Sequence, residues 1–289
     1  MVNIRSLLGA VPYIVSVSAA SIAARQGAAA TQVVNLASLE NIAVRPNGQI
    51  LVTNMNSPNL YAVDPAAKSS STAVVVTGAT GLSGVREVTP DVFAVIGGKS
   101  IYKVDFTGDA PAVTLVKAIT EAVNLNGLSS FDDDSVLVAD AGKGNVYRFS
   151  ISTGEYSVVL EDPTMAPSGA IPFGIDGILH VNGTVWYTNI FKNSFHKVEV
   201  DETGKAKGAV TTVWTNSMGD DLCVGPNGKI YVATNSPNTV LEVDPASTSP
   251  KTVAQVRGST ACAFGRGESD ANTLYVTGAQ GVFSVNIAA

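Results

Sequence analysis

Six times along the chain a small or acidic residue leads into a short apolar run, and the period of that recurrence limits the fold more than any other feature. The runs are Glu40-Asn41-Ile42-Ala43-Val44, Ser83-Gly84-Val85-Arg86-Glu87, Asn126-Gly127-Leu128, Asp176-Gly177-Ile178, Asp220-Asp221-Leu222-Cys223 and Thr260-Ala261-Cys262-Ala263-Phe264. Their first residues lie 43, 43, 50, 44 and 40 positions apart, which is the length of a four-stranded propeller blade. A polar turn follows each run, as at Pro46-Asn47-Gly48, Pro90-Asp91, Asn182-Gly183 and Pro226-Asn227-Gly228. A hairpin rich in valine, isoleucine and tyrosine comes next, as in residues 50–63, 92–104 and 230–243.

A fourth strand is expected to close each of the first five repeats, over residues 73–76, 113–116, 156–160, 210–214 and 252–256. The sixth repeat has none, whereas Gln32-Val33-Val34-Asn35-Leu36 stands unclaimed near the other end. The expectation is an all-β, six-bladed β-propeller with four antiparallel strands per blade, its last blade closed by the N-terminal strand. Such closure leaves no sheet edge exposed at the seam.

Composition supports an ordered core, with 45% hydrophobic and 15% charged residues. The net charge of −6 and the lack of any Lys/Arg cluster exclude nucleic acid and anionic membrane surfaces as partners. Residues 1–24 read as a signal peptide: Arg5, then an uncharged apolar stretch, then the small residues Ser21-Ile22-Ala23. A buried N-terminal helix is the alternative. No later stretch is long and apolar enough to span a bilayer, so residues 25–289 are expected to form one propeller in the secretory pathway. Asn182-Gly183-Thr184 is a glycosylation acceptor. Cys223 and Cys262 fall on adjacent first strands at similar depth, as a disulfide or as two buried thiols. Nothing in the sequence sets the oligomeric state.

Antiparallel order brings the start of each first strand and the end of each second strand to one face. There the chain offers Glu40, Asn126, Asp176 and Asp220, with Asp221 beside the last, and Asn54, Asp140, Asn189 and Asn235 from the second strands. One Asn-Gly or Asp-Gly pair would be turn chemistry. Four acids or amides at equivalent positions suggest converging ligands, because carboxylates repel unless something uses them. Phe173, Phe191, Phe195 and Met218 fall in loops on the same side, where they could form an apolar lid or pack as core beneath the loops. His180 and His196 are far apart in sequence, no serine has an evident base, and no phosphate-binding loop precedes a helix.

On these strings the chain resembles the senescence marker protein/gluconolactonase superfamily. That resemblance implies a divalent metal, usually calcium, at Glu40, Asn126, Asp176 and Asp220, with Asp176 departing from the expected asparagine. Residues 40–54, Pro172-Phe173-Gly174-Ile175-Asp176-Gly177-Ile178 and Asp220-Asp221-Leu222 resemble more closely a branch of secreted fungal propellers containing hetero-Diels–Alderases of tropolone–sesquiterpene pathways. The implied substrates are a tropolone-derived ortho-quinone methide and a sesquiterpene such as humulene. In that reading no cofactor is needed. Glu40, Asp176, Asp220 and Asp221 carry the catalytic roles. Asn54, Asn126, Asn189 and Asn235, with the three phenylalanines and Met218, bind substrate. A calcium-dependent lactonase and a non-catalytic binding propeller are the alternatives.

Overall fold

The computed structural model describes residues 27–169, 171–247 and 249–287. The expected signal peptide at residues 1–24 lies outside the described residues. Strand β1 (Thr31–Val34) comes first. Blade one holds β2 (Leu39–Val44), β3 (Ile50–Asn54), β4 (Asn59–Asp64) and β5 (Ser69–Val75). Blade two holds β6 (Leu82–Thr89), β7 (Val92–Gly97), β8 (Ser100–Asp105) and β9 (Ala112–Ala118). Blade three holds β10 (Leu125–Ser130), β11 (Ser135–Asp140), β12 (Asn145–Ser150) and β13 (Tyr156–Glu161). Blade four holds β14 (Ile175–Val181), β15 (Thr184–Asn189), β16 (Ser194–Glu199) and β17 (Thr211–Thr215). Blade five holds β18 (Met218–Val224), β19 (Ile230–Ser236), β20 (Thr239–Val243) and β21 (Lys251–Gln255). Blade six holds β22 (Cys262–Phe264), β23 (Thr273–Gly278) and β24 (Gly281–Asn286).

The six four-stranded antiparallel sheets are those the repeat predicts, and β1 joins blade six in the order β1-β24-β23-β22. Its register sets Thr31 against Ser284 and Gln32 against Phe283. Val33 and Val34 are buried by this pairing, so the first described strand locks the last blade. A second lock lies on the inner strands, where Cys223 of blade five and Cys262 of blade six form a disulfide with Cα atoms 5.7 Å apart. The thiol alternative is thereby set aside.

The core is not on the axis. It divides into slabs between neighbouring sheets, each drawn from two adjacent blades; Leu51, Leu60 and Val85 belong to one, Leu179, Trp186 and Leu222 to another. Ile42, Val85, Leu128, Ile178 and Leu222, two positions past the start of each repeat, are fully buried there. Because apolar side chains pack between blades, the axis is left for residues of other kinds. That division makes a polar site compatible with a stable fold.

Candidate functional site around the channel mouth

Five of the six inner strands share one irregularity. In blade one Leu39 faces Asn54, but Ile42, three residues on, faces Val52, only two residues back. The same slip separates Leu82 from Val85, Leu125 from Leu128, Ile175 from Ile178 and Gly219 from Leu222. Each is a β-bulge, which leaves one residue unpaired and re-aims its side chain. The bulges contain Glu40-Asn41, Ser83-Gly84, Asn126-Gly127, Asp176-Gly177 and Asp220-Asp221. The polar residues of the repeat are therefore strand residues turned by a bulge, not turn residues.

Gly127 and Gly177 serve close approach. A β-carbon on Gly127 would lie 2.2 Å from the carbonyl oxygen of Asp176, and one on Gly177 would lie 2.5 Å from that of Asp220. In each case the glycine of one blade admits the ring residue of the next. Threonines on the second strands hold the bulges: Thr188 Oγ1 accepts from Gly177 N at 3.0 Å and donates to Asp220 O at 2.5 Å. Thr53 Oγ1 accepts from Asn41 N at 2.9 Å.

The result is a buried acid cluster. One carboxylate oxygen each from Glu40, Asp176 and Asp220 lies within 4.8 Å of the other two, and the residues are 8, 3 and 5% exposed. Asn126 Nδ2 donates to Asp176 Oδ1 at 2.5 Å, and Asn235 Nδ2 donates to Asp220 Oδ2 at 3.2 Å. Asp221 lies one residue deeper, where Asn41 Nδ2 of blade one donates to its Oδ2. Arg86, part-buried on β6, is the charge that draws the Asp221 carboxyl down; its Nε donates to Leu128 O at 3.1 Å.

Burial and mutual repulsion raise the carboxyls of this cluster above their ordinary values. Burial, then the charge of Asp221, push Glu40 up to about 7, against a smaller lowering by Asn126. Asp176 is raised well above the ordinary carboxylate range by burial and then by the charges of Glu40 and Asp221. Burial, then Asp176 and Glu40, raise Asp220 likewise. Asp221 is raised by burial, with Arg86, the Leu222 N–H and Asn41 pulling it back. The shifts all favour the protonated carboxyls, and the oxygen donors of the cluster are also those a hard cation requires.

The other expected residues divide. Asn54 Nδ2 donates to Ala37 O, and Asn189 Nδ2 donates to the carbonyls of Thr164 and Ala166. Asp140 accepts from the N–H groups of Val123, Asn124, Gly142 and Lys143. These three organise the loops and do not join the cluster. Phe173 and Phe191 meet edge to face at 5.9 Å on the upper face, and Met218, part-exposed, opens β18.

Phe195 corrects the expectation of a lid residue. It is the second residue of β16, fully buried between Trp186 at 5.6 Å and Trp214 at 4.3 Å. Met165, in the same long loop as Phe173, is fully buried in the slab between blades three and four. His196, the next residue, also lies within β16. Burial lowers it to about 4, and its ring nitrogens lie 2.8 Å from Ser194 Oγ and 3.1 Å from Thr212 Oγ1.

Exposed apolar side chains gather on the loops around the mouth: Met55, Val123 and Ile171 are 53, 53 and 48% exposed. A cleft of about 230 Å³ runs between the first two and is also lined by Leu82, Ser83 and Lys99. A larger cleft, of about 780 Å³, lies elsewhere, on the flank of blade three around Asp132, Arg148 and Tyr156.

Residues 132–280 match the family described as the SMP-30/Gluconolactonase/LRE-like region. The chain belongs to the SMP-30/gluconolactonase family. A Phoma sp protein named as a hetero-Diels-Alderase is 26% identical over 295 residues, covering 83% of each chain. A Sarocladium schorii protein with the same name is 23% identical over 299 residues, covering 83% of this chain and 75% of its own. Among solved structures, a calcium-binding regucalcin from Agrobacterium tumefaciens superposes with a TM-score of 0.72 at 15% identity, covering 91% of this chain and 95% of that one. A streptogramin B lyase superposes at 0.61 and 12% identity, covering 90% and 97%. At such identities the structures establish the shared six-bladed fold. Within this SMP-30-like scaffold, Asn41, Arg86 and the bulge threonines are the positioning residues that the repeat alone did not mark.

Proposed function

We propose that the chain is a hetero-Diels–Alderase that joins an oxygenated ortho-quinone methide of the tropolone kind to an apolar cyclic alkene such as a sesquiterpene. The observation that carries this reading is the buried trio Glu40, Asp176 and Asp220, whose burial and mutual charge favour the protonated carboxyls, beneath loops that carry exposed apolar side chains. The two relatives named as hetero-Diels-Alderases support it.

The chemistry balances without an external reagent. A protonated carboxyl of the trio gives its proton to a hydroxyl on the carbon beside the ring, and that hydroxyl leaves as water. An ionised neighbour takes the proton of the adjacent ring hydroxyl, which leaves the quinone methide and restores the proton count of the trio. Cycloaddition then forms one carbon–carbon and one carbon–oxygen bond at the expense of the alkene π bond and, net, one π bond of the quinone methide oxadiene, whose remaining π bond returns to the ring, and no proton is exchanged. A carboxyl O–H or the Asn235 amide donating to the quinone methide oxygen lowers that barrier. Met55, Val123, Phe173 and Phe191 give the alkene an apolar surface on which to lie. The test is incubation of the purified chain with a hydroxymethyl tropolone and a macrocyclic triene, with the adduct read by mass spectrometry. Adduct no faster than the uncatalysed background in wild type overturns the reading.

The same donor set favours a second reading, a calcium-dependent lactonase. Glu40, Asp176 and Asp220, with Asn126 beside them, are all-oxygen donors and fit a calcium ion. Bound there, calcium would polarise a lactone carbonyl and neutralise the charge that develops on it. Stoichiometric calcium in the purified protein, with a melting temperature that climbs on calcium addition, would favour this reading over the first.

A further inference from the structure

We propose that Asn182 carries an N-linked oligosaccharide, which places the glycan on the lower face of the propeller, opposite the mouth of the channel. Asn182-Gly183 is the two-residue turn between β14 and β15, closed by the pairing of Val181 with Thr184. Both turn residues have positive φ, 50° and 70°, the conformation of a tight hairpin turn that asparagine and glycine tolerate. Both are exposed. Thr184 completes the acceptor sequence and begins β15. Asparagines in the matching turns of blades one and five are used internally: Asn47 Oδ1 accepts from Gln49 N, and Asn227 Oδ1 accepts from Lys229 N while its Nδ2 donates to Tyr231 Oη. Neither of those begins an acceptor sequence.

An independent observation supports it. The Cys223–Cys262 disulfide is a bond that persists in oxidising compartments such as the secretory pathway, where N-glycosylation also takes place. The co-reactant is a polyprenyl-pyrophosphate-linked oligosaccharide. The Asn182 amide nitrogen attacks the sugar C1, the C1–O bond to the pyrophosphate breaks, the lipid pyrophosphate departs with the bonding pair, and the amide nitrogen loses one proton.

The position has a functional consequence. The ring residues sit at the upper ends of the inner strands, and the β14–β15 turn sits at the lower end of one of them. A glycan there leaves the mouth clear and covers the lower face near the axis. The inference stands apart from the proposed reaction and fails separately from it.

The experiment expresses the full chain in a eukaryotic host and digests it with an amidase that removes N-glycans in heavy-oxygen water. The expected result is a loss of intact mass, with Asn182 converted to a heavy-labelled aspartate. Asn182→Gln and Thr184→Ala should abolish the shift, Thr184→Ser should retain it, and all three variants should keep the activity of wild type. An unmodified Asn182 peptide from wild type, or a mass shift that survives Asn182→Gln, overturns the proposal.

Discussion

Asn126 of blade three donates its amide N–H to Asp176 of blade four at 2.5 Å, so these two blades are joined at the channel mouth by two of the ring's polar side chains. Removing that donor leaves a buried carboxyl with one partner fewer. Asn126→Ala should lower stability by about 1–3 kcal/mol, the cost of leaving a buried polar group unsatisfied, and should raise Asp176 further. Urea unfolding of wild type and variant checks the first effect. An unchanged midpoint would mean that the bond carries nothing.

Replacing one acid of the trio should act in opposite directions on stability and turnover. In Asp176→Asn and Asp220→Asn the repulsion among three carboxyls within 4.8 Å is relieved, and the melting temperature should rise. Adduct formation should fall by roughly 10²–10⁴-fold, the range ascribed to a lost acid or base. A variant that is both less stable and fully active would remove the trio from the mechanism.

Stability should also depend on pH through these acids. Glu40 titrates at about 7 in the folded chain against an ordinary value of 4.5, so the folded state binds its proton more tightly than the unfolded state does. Its contribution is complete below the ordinary value and is lost as pH rises through about 7. Asp176 and Asp220, raised in the same sense, extend the loss upward in pH. Melting temperatures measured from mildly acidic to mildly alkaline buffer should therefore fall, and Glu40→Gln should flatten the decline.

Gly127→Ala should be far more damaging than its chemistry suggests. The new β-carbon would lie 2.2 Å from the Asp176 carbonyl oxygen, a contact relieved only by moving the next blade's bulge. A loss of at least about 2 kcal/mol follows from such overpacking. Gly208→Ala, with nothing within 4 Å of the added carbon, is the control and should be neutral.

The blade count was legible in the sequence because each blade repeats one order of strand, turn and hairpin, and the closing strand was legible because blade six lacked a fourth. Glu40, Asn126, Asp176 and Asp220 were legible as a set because they occupy one position of the repeat. The bulge itself was not, since it is a slip in register that no single residue type marks. Asn41 and Asp221 fill the position where three other blades carry glycine, and that exception was the available signal for their cross-channel bond. Phe195 was misplaced because the β15–β16 turn ends at Asn193, two residues earlier than the aromatic pair with Phe191 suggests. The alternation Phe195, Lys197, Glu199 against Ser194, His196, Val198 does not separate core from surface, because β16 packs on both faces.

Disulfide removal tests the closure. Cys223→Ser with Cys262→Ser opens a link between residues 39 apart and should cost about 3–4 kcal/mol by chain entropy. A reductant should lower the wild-type melting temperature and leave the double variant unchanged.

The central claim, that protons held by Glu40, Asp176 and Asp220 drive adduct formation, is tested most directly by the pH–rate profile of that reaction in the presence of a calcium chelator. The account predicts adduct formation that survives the chelator and declines as pH rises through about 7. A rate that the chelator abolishes, or one that climbs with pH, would contradict it.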